Sequence, residues 1–274
     1  MVGVGEDEVK LYKATDIQGK TKEKTGWSST TKWGEGIRHR AKKGHPLKAH
    51  LHPVLASLAQ FAVKSEVFSS IRLWEAEGQP INNDILTEGE RLTHNDRTFG
   101  VVKCSELATV TQIEVTCISS EALVKAGIIC ALEVCDIPEF VQWANEWSDG
   151  KDRTQVRTRA VYKKASTVSS SAITEAMEVG KVNDWDTFNK HIFISLGASA
   201  AYEAAFAAAM LAIKDESDSP LQGGNVLHST VASSMSAKRA INSVSYATSA
   251  LSVMGREPIN YLNILQDLDK ELSI

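Results

Sequence analysis

The 274 residues carry 43% hydrophobic and 23% charged side chains, the balance of an ordinary globular protein and not of a disordered chain. The net charge is −4, yet residues 20–48 hold +7 and residues 151–164 hold +5, which leaves −16 on everything else. Such segregation excludes a uniformly acidic or basic surface and places local positive potential where polyanions are attracted whatever the overall sign.

Taken in chain order, MVGVGEDEVK is acidic and lacks the apolar core of a secretory signal. Val9–Lys13 alternates briefly and predicts a short strand. Gly19–Gly34 is polar, rich in Gly and Thr, and without apolar period, so residues 1–45 are expected to form an extended basic arm. Trp27 and Trp33 are unusual in such a segment and read as anchors that dock on a neighbouring subunit. The core domain is expected over 46–274. Leu51, Val54, Leu55, Leu58, Phe61 and Ala62 predict a helix whose proper start is Pro53. Residues 77–98 read as loop, and 99–104 with 110–118 as a β-hairpin.

Beyond Ser119 the pattern is helical. Expected helices cover 121–135, then a segment opened by an Asp136 cap and Pro138, then 152–164, 170–180, 184–196, 198–214, 226–254 and 258–272, with a break at Gly197. The stretch 198–213, with Tyr202, Phe206 and Met210 on one face among alanines, predicts a close-packed central helix. The fold class expected is mainly α, with a small β-hairpin and the extended arm. No apolar run reaches the roughly 18 residues of a membrane span, so neither a membrane partner nor a membrane address is expected.

Catalytic signatures are absent: no GxSxG, P-loop, HExxH or strand-following GxGxxG. Asp184, Asp186 and His191 can be drawn as an acid–base set, but Asp184 or Asn183 reads better as a helix cap. Cys104, Cys117, Cys130 and Cys135 sit outside CxxC pairs and read as buried reduced thiols. His39, His45, His50 and His52 lie in the first basic island and read as part of a polyanion-contacting strip. No cofactor or metal is expected. The expected phosphate contacts are Arg153, Arg157, Arg159, Lys163 and Lys164, with Tyr162 available for stacking, and Arg38, Arg40, Lys42 and Lys43, which contact nucleic acid or tether subunits.

A polar basic arm, an Ala-rich helical core with 30 Ala and 27 Ser, and a helical end at Asn260-Tyr261-Leu262-Asn263-Ile264-Leu265 together resemble the plan of RNA-virus coat proteins and nucleoproteins, the filamentous plant and fungal ones in style. The 6 prolines depart from the Pro-Ala-Ser-rich fungal coats. The resemblance implies a non-enzymatic, self-assembling protein whose partners are RNA and further copies of itself, located in a virion or host cytoplasm. The alternative is a scaffold whose basic arm docks on acidic surfaces of neighbouring subunits.

Overall fold

The computed structural model describes residues 10–22, 28–64, 71–82, 96–97, 99–115, 118–181, 184–217 and 226–268. The chain divides into two compact units, Met1–Cys117 and Ile118–Ile274. The segment before the expected boundary at 45/46 is hydrogen-bonded to strands that come after it.

The first unit contains β1 (Leu11–Asp16), β2 (Lys20–Lys22), β3 (Ser28–Lys32), β4 (Arg38–Arg40), β5 (Leu47–His50), α1 (Pro53–Lys64), β6 (Ile71–Pro80) and β7 (Val101–Ile113). Strand β7 pairs antiparallel with β5 along one edge and with β6 along the other. Strand β1 pairs with both β5 and β6, which closes a ring of four strands. Strand β4 continues the line of β5 along β7. Closure removes the exposed edges that an open sheet of this size would present. Leu11, Trp33, Ala49, Ala76, Cys104 and Leu107 fill the interior.

The expected hairpin over 99–118 is instead the single 13-residue strand β7. Its partner β6 lies in the stretch read as loop. The misreading has a physical cause: register shifts between Glu75 and Ala76 and between Gln79 and Pro80 break the two-residue period. Gly78 serves the strand and not a turn, since a Cβ there would stand 2.9 Å from the Glu106 carbonyl oxygen. Helix α1 starts at Pro53 as predicted.

The described part of the expected arm is therefore short strands and the turns between them. Residues 1–9 and 23–27, which include Trp27, lie outside the described residues.

The second unit is helical: α2 (Ser120–Leu132), α3 (Pro138–Ser148), α4 (Gln155–Gly180), α5 (Trp185–Ser217), α6 (Val226–Val253) and α7 (Tyr261–Leu268). Ser119 caps α2 by accepting from the Ala122 amide at 3.1 Å. At α3 the N-cap is Ile137, with no side-chain cap bond, so Asp136 does not play the expected part; Pro138 alone marks the start.

Helix α5 is flanked by α2, α4 and α6. It runs through Gly197 without a break. A Cβ at Gly197 would lie 2.3 Å from the Val134 carbonyl oxygen, so glycine is there for close approach. Ala198, Ala200, Ala201, Ala204, Ala205, Ala207 and Ala208 are all buried. The axes come near enough for serines to bond across them. Ser243 Oγ lies 2.9 Å from both the Gly127 and Ala200 carbonyls, and Ser236 Oγ donates to the Ala207 carbonyl at 2.8 Å. Glu203, buried, pairs with Arg239, whose guanidinium also sits 4.7 Å over the Phe206 ring. Burial pushes the Glu203 carboxyl up despite that pairing.

By length and composition, Trp185–Ile213 of α5 is apolar enough to cross a membrane, a correction to the sequence expectation, but 61% of its apolar window is buried inside this unit. It packs as a core helix.

Filling the α5 contact is expected to be costly. Gly197→Val and Ala205→Leu should each lose roughly 1–3 kcal/mol by overpacking, lowering Tm by about 2–4 °C per kcal/mol. Circular-dichroism melts check this, and parental melting of both variants would show that the contact is loose.

Candidate nucleic-acid interface

The first basic island is built into the barrel. Arg38 and Arg40 are two apart on β4, so their side chains share a face, and both reach one carboxylate on β7. Arg38 Nη1 donates to Glu106 Oε1 at 2.5 Å and Arg40 Nε to Glu106 Oε2 at 2.8 Å. Arg40, then Arg38, holds the Glu106 carboxyl below its ordinary range. One carboxylate thus serves two exposed guanidiniums and leaves a surplus positive charge.

His39, between them, turns to the other face. Its Nε2 donates to the Lys32 carbonyl at 3.0 Å, and its ring meets Trp33 edge-on at 4.7 Å. Trp33 is 3% exposed and lies under Lys13 Nζ, 5.2 Å from the ring centre. The ring expected to dock on a neighbouring subunit is packed in its own unit's core. The polar, aperiodic sequence around Trp33 gives no sign of that burial.

Between β4 and β5 the chain leaves the sheet. The Ala41 amide donates to the Ser105 carbonyl, while Leu47 pairs with Cys104, the next residue on β7. Residues 42–46 are therefore extruded as a tight turn, closed by the Lys42–His45 bridge. Lys42, Lys43 and His45 are exposed on it, and neither lysine forms an ion pair among the described residues. Lys48, by contrast, is tied to Asp96 at 3.1 Å. Sequence reasoning missed a further pair: Lys20 and Lys32 stand directly opposite on β2 and β3, both exposed. Like charges in that position repel, and a bound anion relieves them.

The second island is more committed to the fold. Arg153 stacks on the Trp147 ring at 4.6 Å and donates from Nη2 to Glu121 Oε1 at 2.9 Å, joining α2, α3 and the start of α4. Lys164 faces Glu139 at 3.5 Å. Arg157 is half-buried, with its Nε shielded from solvent. Arg159 and Lys163, one turn apart on α4, are exposed. Tyr162 is not free for base stacking, because its ring packs against Tyr202 and Phe206 at 5.8 and 5.6 Å. A run of alternating basic residues does not reveal which of them have carboxylate partners 25 or more positions away; that information is tertiary.

Asp184 accepts from the Thr187 amide at 3.1 Å, a capping bond, and the Thr187 hydroxyl, then this amide, hold its carboxyl below the ordinary range. Cys104, Cys130 and Cys135 are free and buried, and burial pushes their thiols up, Cys104 and Cys135 to about 11. Cys117 lies outside the described residues. Among the described residues no three His, Cys, Asp or Glu side chains are placed to hold a metal ion.

His50 Nδ1 lies 2.9 Å from the Phe99 carbonyl, which can only accept, so Nδ1 carries the proton. Burial lowers the pKa to about 4; the Phe99 bond and Asp96 oppose this, and Lys13 and Lys48 add to it. The folded pKa is below the unfolded one, so this contribution is whole above pH 6.5 and is lost as pH falls toward 4, by about 3 kcal/mol at most. Thermal melts from pH 7 to pH 4.5 should show this loss, and His50→Asn, which cannot protonate, should flatten it. Equal slopes for both proteins would count against a half-buried, neutral ring.

No family model, curated protein or solved structure matches this chain.

Proposed function

We propose that the chain is a non-enzymatic, self-associating protein of coat or nucleocapsid type that binds RNA along its phosphate backbone, largely without sequence preference. The barrel unit makes the main contact. What carries the reading is the extruded Lys42–Lys43 turn, whose two exposed lysines have no ion-pair partner among the described residues. The Arg38–Glu106–Arg40 fork, with its surplus positive charge, and the opposed Lys20 and Lys32 extend the same chemistry. Arg159 and Lys163 are the members of the second island with least internal commitment. Arg153 and Lys164 serve the helical unit first.

Backbone contacts of this kind are electrostatic and read by their salt dependence. Each neutralised phosphate on a single strand contributes about −0.7 to the slope of log affinity against log salt. Lys42→Ala with Lys43→Ala should flatten that slope by roughly 1.4 for a single-stranded RNA followed by fluorescence anisotropy. Arg153→Ala should lower the melting temperature and leave the slope alone. A folded double variant with parental affinity and slope would remove the turn from the interface. An absence of RNA binding by the parent would favour docking on acidic protein surfaces instead.

A further inference from the structure

We infer that α4 pairs with α4 of a second copy of this chain, antiparallel about a two-fold axis between Val168 and Ser169. The inference rests on the self-association proposed above and names its surface.

Helix α4 has 26 residues, of which only Thr158, Val161, Ala165, Ala172 and Ala176 are buried, a single narrow stripe. Its outer face has no partner among the described residues of this unit. That face carries three large apolar side chains in the open: Val156 at 81% exposure, Met177 at 68% and Ile173 at 47%. A shallow groove runs along Ser166, Thr167, Ser170, Ser171 and Thr174.

Charge decides the occupant and its direction. The first half of the outer face is positive through Arg159 and Lys163, and the second half is negative through Glu175 and Glu178. Such a surface is complementary to itself when one copy is reversed. With the axis at 168/169, Arg159 faces Glu178, Lys163 faces Thr174 and Glu175, and Ala160 leaves room for Met177. The residues that meet at the axis, Ser166 with Ser171 and Thr167 with Ser170, are small enough for close approach. A parallel pair would set like charges together. In a two-fold interface every one of these contacts occurs twice.

The hydroxyls in the groove do not oppose dehydration. Thr167, Ser170 and Thr174 donate to the carbonyls of Lys163, Ser166 and Ser170, each at 3.0 Å. Removing water there strands none of these three donors. Two existing pairings border the face: Glu178 with Lys181 at 2.7 Å, and Glu175 beside His191 at 3.1 Å. The first is an exposed pair of low worth that a guanidinium joins readily.

The test is light scattering on the eluting full-length chain, with circular dichroism as a check on folding. The parent should run at twice the 29.8 kDa chain mass, or a multiple of it. Arg159→Glu with Lys163→Glu, and separately Glu175→Lys with Glu178→Lys, should each halve that mass. Mixing the two variants should restore it, because each reversed half then meets its complement. All four changes in one chain should restore it as well. If a charge variant loses its helical signal, Ser170→Lys, which brings two like charges to the axis, should give the same loss of mass. A monomeric parent, parental mass in both charge variants, or failure of the mixture to reassociate would each overturn the pairing. RNA binding is measured on the same samples: its retention by the monomeric Glu175→Lys with Glu178→Lys variant, which leaves every proposed RNA contact in place, separates this surface from the barrel contact, and its absence in a dimeric parent would count against the RNA reading alone.

Discussion

Helix α5 occupies the middle of its unit because almost nothing stands between its backbone and its neighbours. Alanine methyls line the contact with α6, and at Gly197 even a methyl is excluded by the Val134 carbonyl. Dispersion falls steeply with separation, so bringing helices together on small side chains compensates for the modest apolar area each one buries. Proximity also permits Ser243 and Ser236 to hydrogen-bond to the carbonyls of facing helices. Those bonds satisfy polar atoms in a water-free contact, where an unmade bond is costly. The position of α4 follows. It packs on one side of α5 and turns a broad polar face outward.

The barrel solves a different problem with the same currency of backbone contact. A sheet of four strands buries little until it closes. Closure through β7, paired on both edges, satisfies their ladders and encloses Trp33, Leu11 and Leu107. Charged residues then have only the outer surface, the turns, or a few paired interior positions such as Lys13, which donates to the Lys48 carbonyl.

Legibility in the sequence tracks how local the determining interaction is. Helices α1, α3 and α6 were readable because caps, prolines and a 3.6-residue period are local features. Helix α5 was read as two pieces because Gly197 serves a contact with residue 134, far away in the chain. The barrel was largely concealed: strands β2 to β5 have three to five residues each, too short to show a period. The basic islands were plain from composition. Which of their members were spent on internal carboxylates was not, since Glu106, Glu121 and Glu139 are remote in sequence from the cations they bind.

The extruded turn at 42–46 has an evolutionary consequence. The β7 ladder passes directly from Ser105, bonded to Ala41, to Cys104, bonded to Leu47, so the sheet closes beneath the turn as if it were not there. Insertions, deletions and changes of charge in those five positions leave strand register untouched. Loop closure grows only slowly in cost with length. The tip can therefore drift from one ligand preference to another while the scaffold stays under its own, separate selection.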